Sequence, residues 1–286
     1  MLRDEGYEVS YRSTEQDWTK ALERPGDLVV AAGGDGTVAK VAVSLAHSGT
    51  PLTVMPLGTA NNIAKTLGIA GDAREFIHTW REAVPRPFAL GLVTSSSETQ
   101  PFVDGFGGGI FADLIAAGGV VGDALSILGR ETDRALHLLR SVAAAARPLP
   151  WGVEVDGRDL SGEYVAVEVL NIRFAGPNVP LARGADPGDG FLDVVLLGSS
   201  ERDALVAYVS GRIMEASGQL PELPRHQGRR IVLAPPDGVA LHLDDDPWPR
   251  DDGSSTAGGP GTVEIEVDAG ALEVIRGTGQ EALDSR

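Results

Sequence analysis

Nearly all the residues able to do chemistry fall in four short stretches. The first is Val29-Val30-Ala31-Ala32-Gly33-Gly34-Asp35-Gly36-Thr37-Val38, where two apolar β-formers lead into a glycine turn holding one acid and one hydroxyl. TVAKVAVSLA then reads as a helix, so the order is strand, tight turn, helix N-terminus. Backbone N–H groups at such a terminus hold anions, and glycines let the chain approach a phosphate closely. A carboxylate inside a phosphate cradle repels its ligand unless it handles a magnesium ion or a proton. The structural alternative is that Asp35 only caps the helix. The second stretch has the same design: Pro51–Met55 reads as a buried strand, and Pro56-Leu57-Gly58-Thr59-Ala60-Asn61-Asn62 turns into the helix IAKTLGI. Two successive strand–turn–helix units imply parallel strands, whose carboxyl-end loops lie side by side. Gly33, Gly34, Asp35, Gly36 and Thr37 then form one lip of a nucleotide site, and Gly58, Thr59 and Asn61 the other. A dinucleotide fingerprint fits loosely as Gly34-x-Gly36-x-x-Ala39. It needs an acid about 20 residues on to hold a ribose hydroxyl, and none occurs between Asp35 and Asp72.

The other two stretches are acidic. In Asp186-Pro187-Gly188-Asp189-Gly190-Phe191, two carboxylates three residues apart flank a Pro-Gly turn with a carbonyl just beyond. Such a set can gather hard oxygen ligands on one cation, although spacing alone is met as well by a plain Asp-Gly turn before a strand. Leu243-Asp244-Asp245-Asp246-Pro247-Trp248 places three acids side by side at the end of an alternating strand. Their mutual repulsion raises one pKa, which suits a general base, while an acidic surface loop fits the spacing equally.

GGDGTV at 33–38 followed by PLGTANNIAKTLGI at 56–69 resembles the catalytic domain of the diacylglycerol kinase family, which takes in bacterial lipid kinases, sphingosine kinases and ceramide kinases and shares its GGDGT turn with NAD kinases. The resemblance implies an ATP-dependent lipid kinase with magnesium. It maps a structural magnesium site onto Asp186, Asp189 and the Phe191 carbonyl. It also makes the acidic triplet the counterpart of an Asp-Gly-Glu-Pro motif that deprotonates the lipid hydroxyl. Asp244 stands at that motif's Asp and Asp246 at its Glu, with Asp245 in place of the Gly; either acid serves as the base, and Asp35 organises the catalytic magnesium. The chain departs from the pattern at Asn62, where Asp is common, and at Ala39-Lys40, where Asn-Glu is common. The motifs run in order through most of the chain, to the last strand ALEVI.

Composition agrees with an enzyme of one or two domains. The 286 residues are 42% apolar, enough for a sizeable core. With no cysteine there is no disulfide, thiolate metal site or cysteine nucleophile. The five histidines, His47, His78, His137, His226 and His242, lack ligand spacing and read as structural or surface residues. A net charge of −17 argues against nucleic acid as partner and against strong attraction to an anionic membrane. Arg225, Arg229 and Arg230 could form a local basic face, or be solvated charges on an acidic surface. No run approaches 18 apolar residues, and no signal segment opens the chain.

Two domains are therefore expected: an α/β nucleotide domain with a parallel sheet over 1–88, and a β-sandwich lipid-substrate domain over 89–286. The second holds helices near 124–146 and 201–217, and a hairpin joining WGVEVDGRDL to YVAVEVLNI. It ends in a mobile loop at 247–261 and a frayed tail. The nucleotide domain reads as incomplete. MLRDEG resembles a helix end, followed by a strand over Tyr7–Tyr11, whereas the family opens with an earlier strand and an Asn-Pro-x-x-Gly phosphate loop. About 25 to 35 residues of the expected domain are not in this sequence, which favours a poorly soluble or inactive chain. The reading is an enzyme of the cytoplasm, peripheral at the membrane, that phosphorylates a lipid such as diacylglycerol or a long-chain base drawn from the membrane surface; a homodimer is left open. An NAD kinase-like enzyme and a non-catalytic remnant that binds lipid or nucleotide are the alternatives.

Overall fold

The computed structural model describes residues 1–276 except 16, 70–76, 96–97, 123–130, 217 and 250–260. Strands β1 (Val29–Gly33) and β2 (Leu52–Pro56) run parallel, from Val29 opposite Leu52 to Gly33 opposite Pro56. Helix α1 (Asp35–Leu45) connects them and buries Val38, Val41, Ala42 and Leu45, a stripe at helical spacing that faces the sheet. A short α2 (Asn62–Thr66) follows β2. Because the two connections are of one kind, both turns emerge at the carboxyl end of the parallel pair.

Downstream, two sheets face each other. The first contains β3 (Arg86–Ser95), β4 (Glu98–Phe102), β6 (Leu149–Val155), β7 (Arg158–Asp159), β8 (Gly162–Tyr164), β12 (Arg230–Ala234) and β15 (Val263–Val274). The second runs in the order β11 (Arg225–Gly228), β10 (Leu192–Leu197), β9 (Ala166–Leu170), β5 (Gly105–Gly109), β13 (Leu241–Leu243), β14 (Asp246–Trp248). Val153, Ile231, Leu233 and Ile265 from one sheet meet Phe106, Val167, Val169 and Val194 from the other to fill the sandwich. Helices α3 (Ile110–Gly122), α4 (Glu131–Ala145) and α5 (Ser199–Ile213) cover the outer face of the second sheet through Ile110, Leu139, Leu205 and Val209. This is an α/β nucleotide-type layer joined to a β-sandwich, the fold class expected.

The two layers share β15. Its first half pairs with β12, while β3 lies along its whole length. Past a register break between Asp268 and Leu272, its end reaches β2: Val274 lies parallel to Leu52, and Ile275 N–H donates to the Leu52 carbonyl at 2.8 Å.

Several local expectations need correction. Tyr7–Tyr11 is not a strand; side chains anchor the segment instead, with Tyr7 edge-on to Trp80 at 6.1 Å, Arg81 over its ring, and its hydroxyl donating to the Ile77 carbonyl. The hairpin at Asp156-Gly157 closes on β7, and the YVAVEV run divides. Gly162–Tyr164 stays beside β6, but β9 crosses to the second sheet. An alternating strand fits either sheet, so the alternation could not choose the partner. Helix α3 was not anticipated, because its glycines resemble turn signals. The expected 124–146 helix is α4, with 124–130 outside the described residues. Of the 247–261 loop, Pro247 and Trp248 belong to β14, and Trp248 is buried edge-on to Phe106; 250–260 lie outside the described residues, as does the tail from 277. Two of the three arginines of the basic patch are paired with acids, Arg225 with Asp193 and Arg230 with Glu264, while Arg229 stacks over Phe191.

Candidate active site

Gly34 caps α1 in extended backbone, and its carbonyl accepts both Thr37 N–H and Val38 N–H at 3.0 Å, closing the first helical turn. The two glycine turns touch through their main chains. Leu57 N–H donates to the Gly33 carbonyl, and a Cβ on Gly58 would lie 2.4 Å from Gly34 Cα. A side chain at Gly58 would force the turns apart. Around Gly36 a Cβ would meet nothing within 4 Å, so its exposed face opens outward from the helix N-terminus. Asn61 takes a left-handed conformation (φ 52°) and clamps the second turn, accepting from Gly58 N–H at 2.9 Å and donating to the Gly58 carbonyl. Thr59 lies exposed beside it.

Asp35 is buried and accepts Ile63 N–H at 3.0 Å, tying the start of α1 to α2. Capping does not exhaust its role, because its charge reaches the other domain. Asp104, in the corner between β4 and β5, has its pKa raised well above the carboxylate range by burial, then by the charges of Asp244, Asp35 and Asp245. Asp104 Oδ1 is sealed from solvent with no hydrogen-bond partner. Asp245 is raised by desolvation first and then by Asp35 and Asp246, against the pull of His242. Four acids from three chain segments thus converge.

Asp244 sits in a left-handed conformation (φ 50°) at the turn joining β13 to β14. Its Oδ1 accepts N–H groups from Val103, Asp104 and Gly105 at 3.0, 2.7 and 3.3 Å, and Oδ2 accepts only a 3.2 Å bond from Val103. Burial pushes its pKa up to about 6, in spite of those three donors. Asp246 lies exposed in β14, opposite Leu243. Of the triplet, Asp244 and Asp245 thus stand toward Asp104, and Asp246 toward the rim. Asp104 was not singled out from sequence, and Asp245 was read only as a member of the triplet standing in place of a glycine. An acid inside the otherwise buried PFVDGFGGG run was the signal available for Asp104.

The acids fit a divalent cation carried on nucleotide phosphates. Such an ion takes one or two carboxylates and completes its shell with phosphate oxygens and water. Asp35 and Asp104 supply hard oxygens, the unpartnered Asp104 Oδ1 among them. In the Asp186–Phe191 turn the carboxylates already carry hydrogen bonds of their own. Asp186 Oδ1 is taken by the Arg276 guanidinium and Gly188 N–H, and Asp189 by Phe191 N–H and Gln227 Nε2. Burial opposes the Asp186 charge, but Arg276, Gly188 N–H and Arg173 outweigh it and lower its pKa. With arginine supplying the positive charge, magnesium is expected to leave the melting temperature unchanged and Arg276→Gln to lower it. A magnesium-dependent rise in the unsubstituted protein would support the metal reading of this turn.

Among the described residues no helix is long and apolar enough to cross a membrane. Comparison with known proteins finds the likeness in both structural layers. The diacylglycerol kinase catalytic domain matches residues 1–93, and the YegS C-terminal NAD kinase beta sandwich-like domain matches 119–276, more than half of the chain. A Stenotrophomonas maltophilia protein named "Probable lipid kinase YegS-like" is 28% identical over 270 residues, covering 86% of this chain and 82% of its own. The Bacillus subtilis diacylglycerol kinase is 32% identical over 203 residues, covering 67% and 64%. A Bacillus anthracis diacylglycerol kinase crystal structure superposes with a TM-score of 0.63 at 20% identity, over 94% of this chain and 85% of that one, and so shares the fold. Two domain matches in the order of the two structural layers leave one assignment: this chain belongs to the diacylglycerol kinase and YegS-like family of lipid kinases.

Proposed function

We propose that this chain transfers the γ-phosphoryl group of ATP to a lipid hydroxyl of the diacylglycerol or long-chain-base type. The observation that carries the proposal is that the charge of Asp35, in the first glycine turn, acts on Asp104 and Asp245 beside Asp244, a buried carboxylate whose pKa of about 6 suits a base near neutral pH. Gly33, Gly34, Gly36, Thr37, Gly58, Thr59 and Asn61 cradle the phosphates by backbone and hydroxyl. Asp35 and Asp104 would hold the magnesium that arrives with them, and that ion would neutralise charge developing on the phosphoryl oxygens. Asp244 takes the proton of the lipid hydroxyl at Oδ2, the less encumbered oxygen. Asp245 lies within the field of Asp35, next to the base in the chain. The reaction needs no covalent intermediate, since phosphoryl transfer depends on positioning and charge stabilisation. The location proposed is the cytoplasm, with transient contact to the membrane that supplies the lipid.

The test is incubation with labelled ATP and magnesium, with lipid extract or NAD offered as acceptor. Label is expected in a lipid phosphate. Label only in NADP would assign the site to the NAD kinase chemistry, and label in neither would favour a binding role.

A further inference from the structure

Glu168 and His242 form a buried pair that the proposed chemistry does not use. Glu168 is 0% exposed and His242 6%, and they lie 74 residues apart in sequence. In the second sheet β5 separates their strands, with Gly107 opposite Glu168 on one side and opposite His242 on the other. Val167 and Val169 point into the sandwich, so Glu168 projects from the other face, beneath the helices. Gly107 leaves open the gap across which the two side chains meet, for a Cβ there would come within 2.3 Å of Glu168 Oε2. His242 Nε2 lies 2.9 Å from Glu168 Oε2, and Nδ1 lies 2.9 Å from the Asp244 carbonyl.

A carbonyl only accepts, so Nδ1 carries a proton and donates it to Asp244 O. The Glu168 carboxylate, these hydrogen bonds and the Asp244 charge hold the His242 pKa above its ordinary value, although burial pulls it down. Asp244 needs this support. Aspartate enters the left-handed region more readily than most residues, and the conformation persists where neighbours fix it. Here its N–H donates to the Gly105 carbonyl at 2.8 Å, its carboxylate collects three amides, and its carbonyl is held by His242.

We propose that His242, oriented by Glu168, is a positioning residue for the acid turn: its Nδ1–H fixes the Asp244 carbonyl and so keeps the Asp244 carboxylate seated on the 103–105 amides. As a role in phosphoryl transfer this rests on the lipid kinase reading; as a role in shaping the turn it does not.

The two nitrogens can be separated by substitution. In a Glu168→Gln background, which strands no buried charge, His242→Asn keeps an amide N–H near the Nδ1 position and His242→Gln keeps one near Nε2. The expected result is that His242→Asn retains most of kcat, while His242→Gln loses about tenfold or more with KM for ATP unchanged, as for a displaced catalytic group. Amide hydrogen exchange at Asp244 should accelerate in His242→Gln and stay slow in His242→Asn. A purely structural pair would lower the melting temperature in both double variants and leave kcat equal between them, and that outcome overturns the proposal. If the unsubstituted protein phosphorylates no lipid, the lipid kinase reading fails. The exchange rates then decide the turn-shaping role alone, with equal rates in the two double variants overturning it.

Discussion

Asp244→Asn is expected to fold and to lose turnover by about 10²–10⁴-fold, the range for removal of a general base. Asparagine keeps an oxygen for the three amides that Oδ1 holds, and gives up the capacity to take a proton together with the weaker 3.2 Å contact of Oδ2 with Val103 N–H. KM for ATP should stay near its original value, because the phosphate turns are untouched. The pH dependence follows from the pKa of about 6. A base acts ionised, so kcat of the unsubstituted protein should fall about tenfold per unit below pH 6 and level off above it. Stability runs the other way. The folded chain holds this proton to about pH 6, while an unfolded Asp releases it near 3.9. Between about pH 4 and 6 the native state therefore binds more protons, and this group makes stability fall as pH rises across that window. Asp244→Asn should remove that slope. A variant retaining full turnover would transfer the base to another acid, Asp245 first.

Gly58→Ala is the second large effect expected. The new Cβ would stand 2.4 Å from Gly34 Cα, and neither atom can move without its main chain. The two turns should separate, at a cost of about 1–3 kcal/mol in stability, typical of an overpacked site, and with loss of ATP binding. Gly36→Ala is the contrast. Its Cβ would enter open space in the first turn of α1, so the melting temperature should hold or rise while nucleotide affinity falls. Thermal melting and ATP titration of both variants separate clash from lost access. If Gly58→Ala melts and binds like the unsubstituted protein, the contact between the turns is not what shapes the cradle.

What could be read from sequence was local. Strand, glycine turn and helix at 29–46, and again at 52–66, each lie within one short segment, and their order alone implied parallel strands and adjacent turns. Asp244 was visible because it sits in a triplet. The remainder depends on pairings that alternation cannot specify. Glu168 looks like the polar member of an outward-facing strand until β9 crosses to the second sheet and the helices cover it. His242 looks like a histidine between two leucines until Gly107 lets Glu168 reach it. Asp186 and Asp189 have cation spacing, but Arg276, 90 residues on, occupies the first of them, and spacing says nothing of so distant a partner.

Strand β15 gives the molecule a particular order of assembly. The nucleotide turns lie near residues 34 and 58, yet the sheet beneath them gains β15 only when residues 272–275 dock beside β2. During synthesis the chain emerges from its N-terminus, so the parallel pair must wait, one flank uncovered, through the translation of nearly the whole sandwich. Pairing across more than 200 residues is slow, because loop closure costs entropy before the contact returns anything. The strand that braces the glycine turns is thus the last part of the sheet to be made, and a chain ended anywhere between residues 62 and 271 would carry the turns without it.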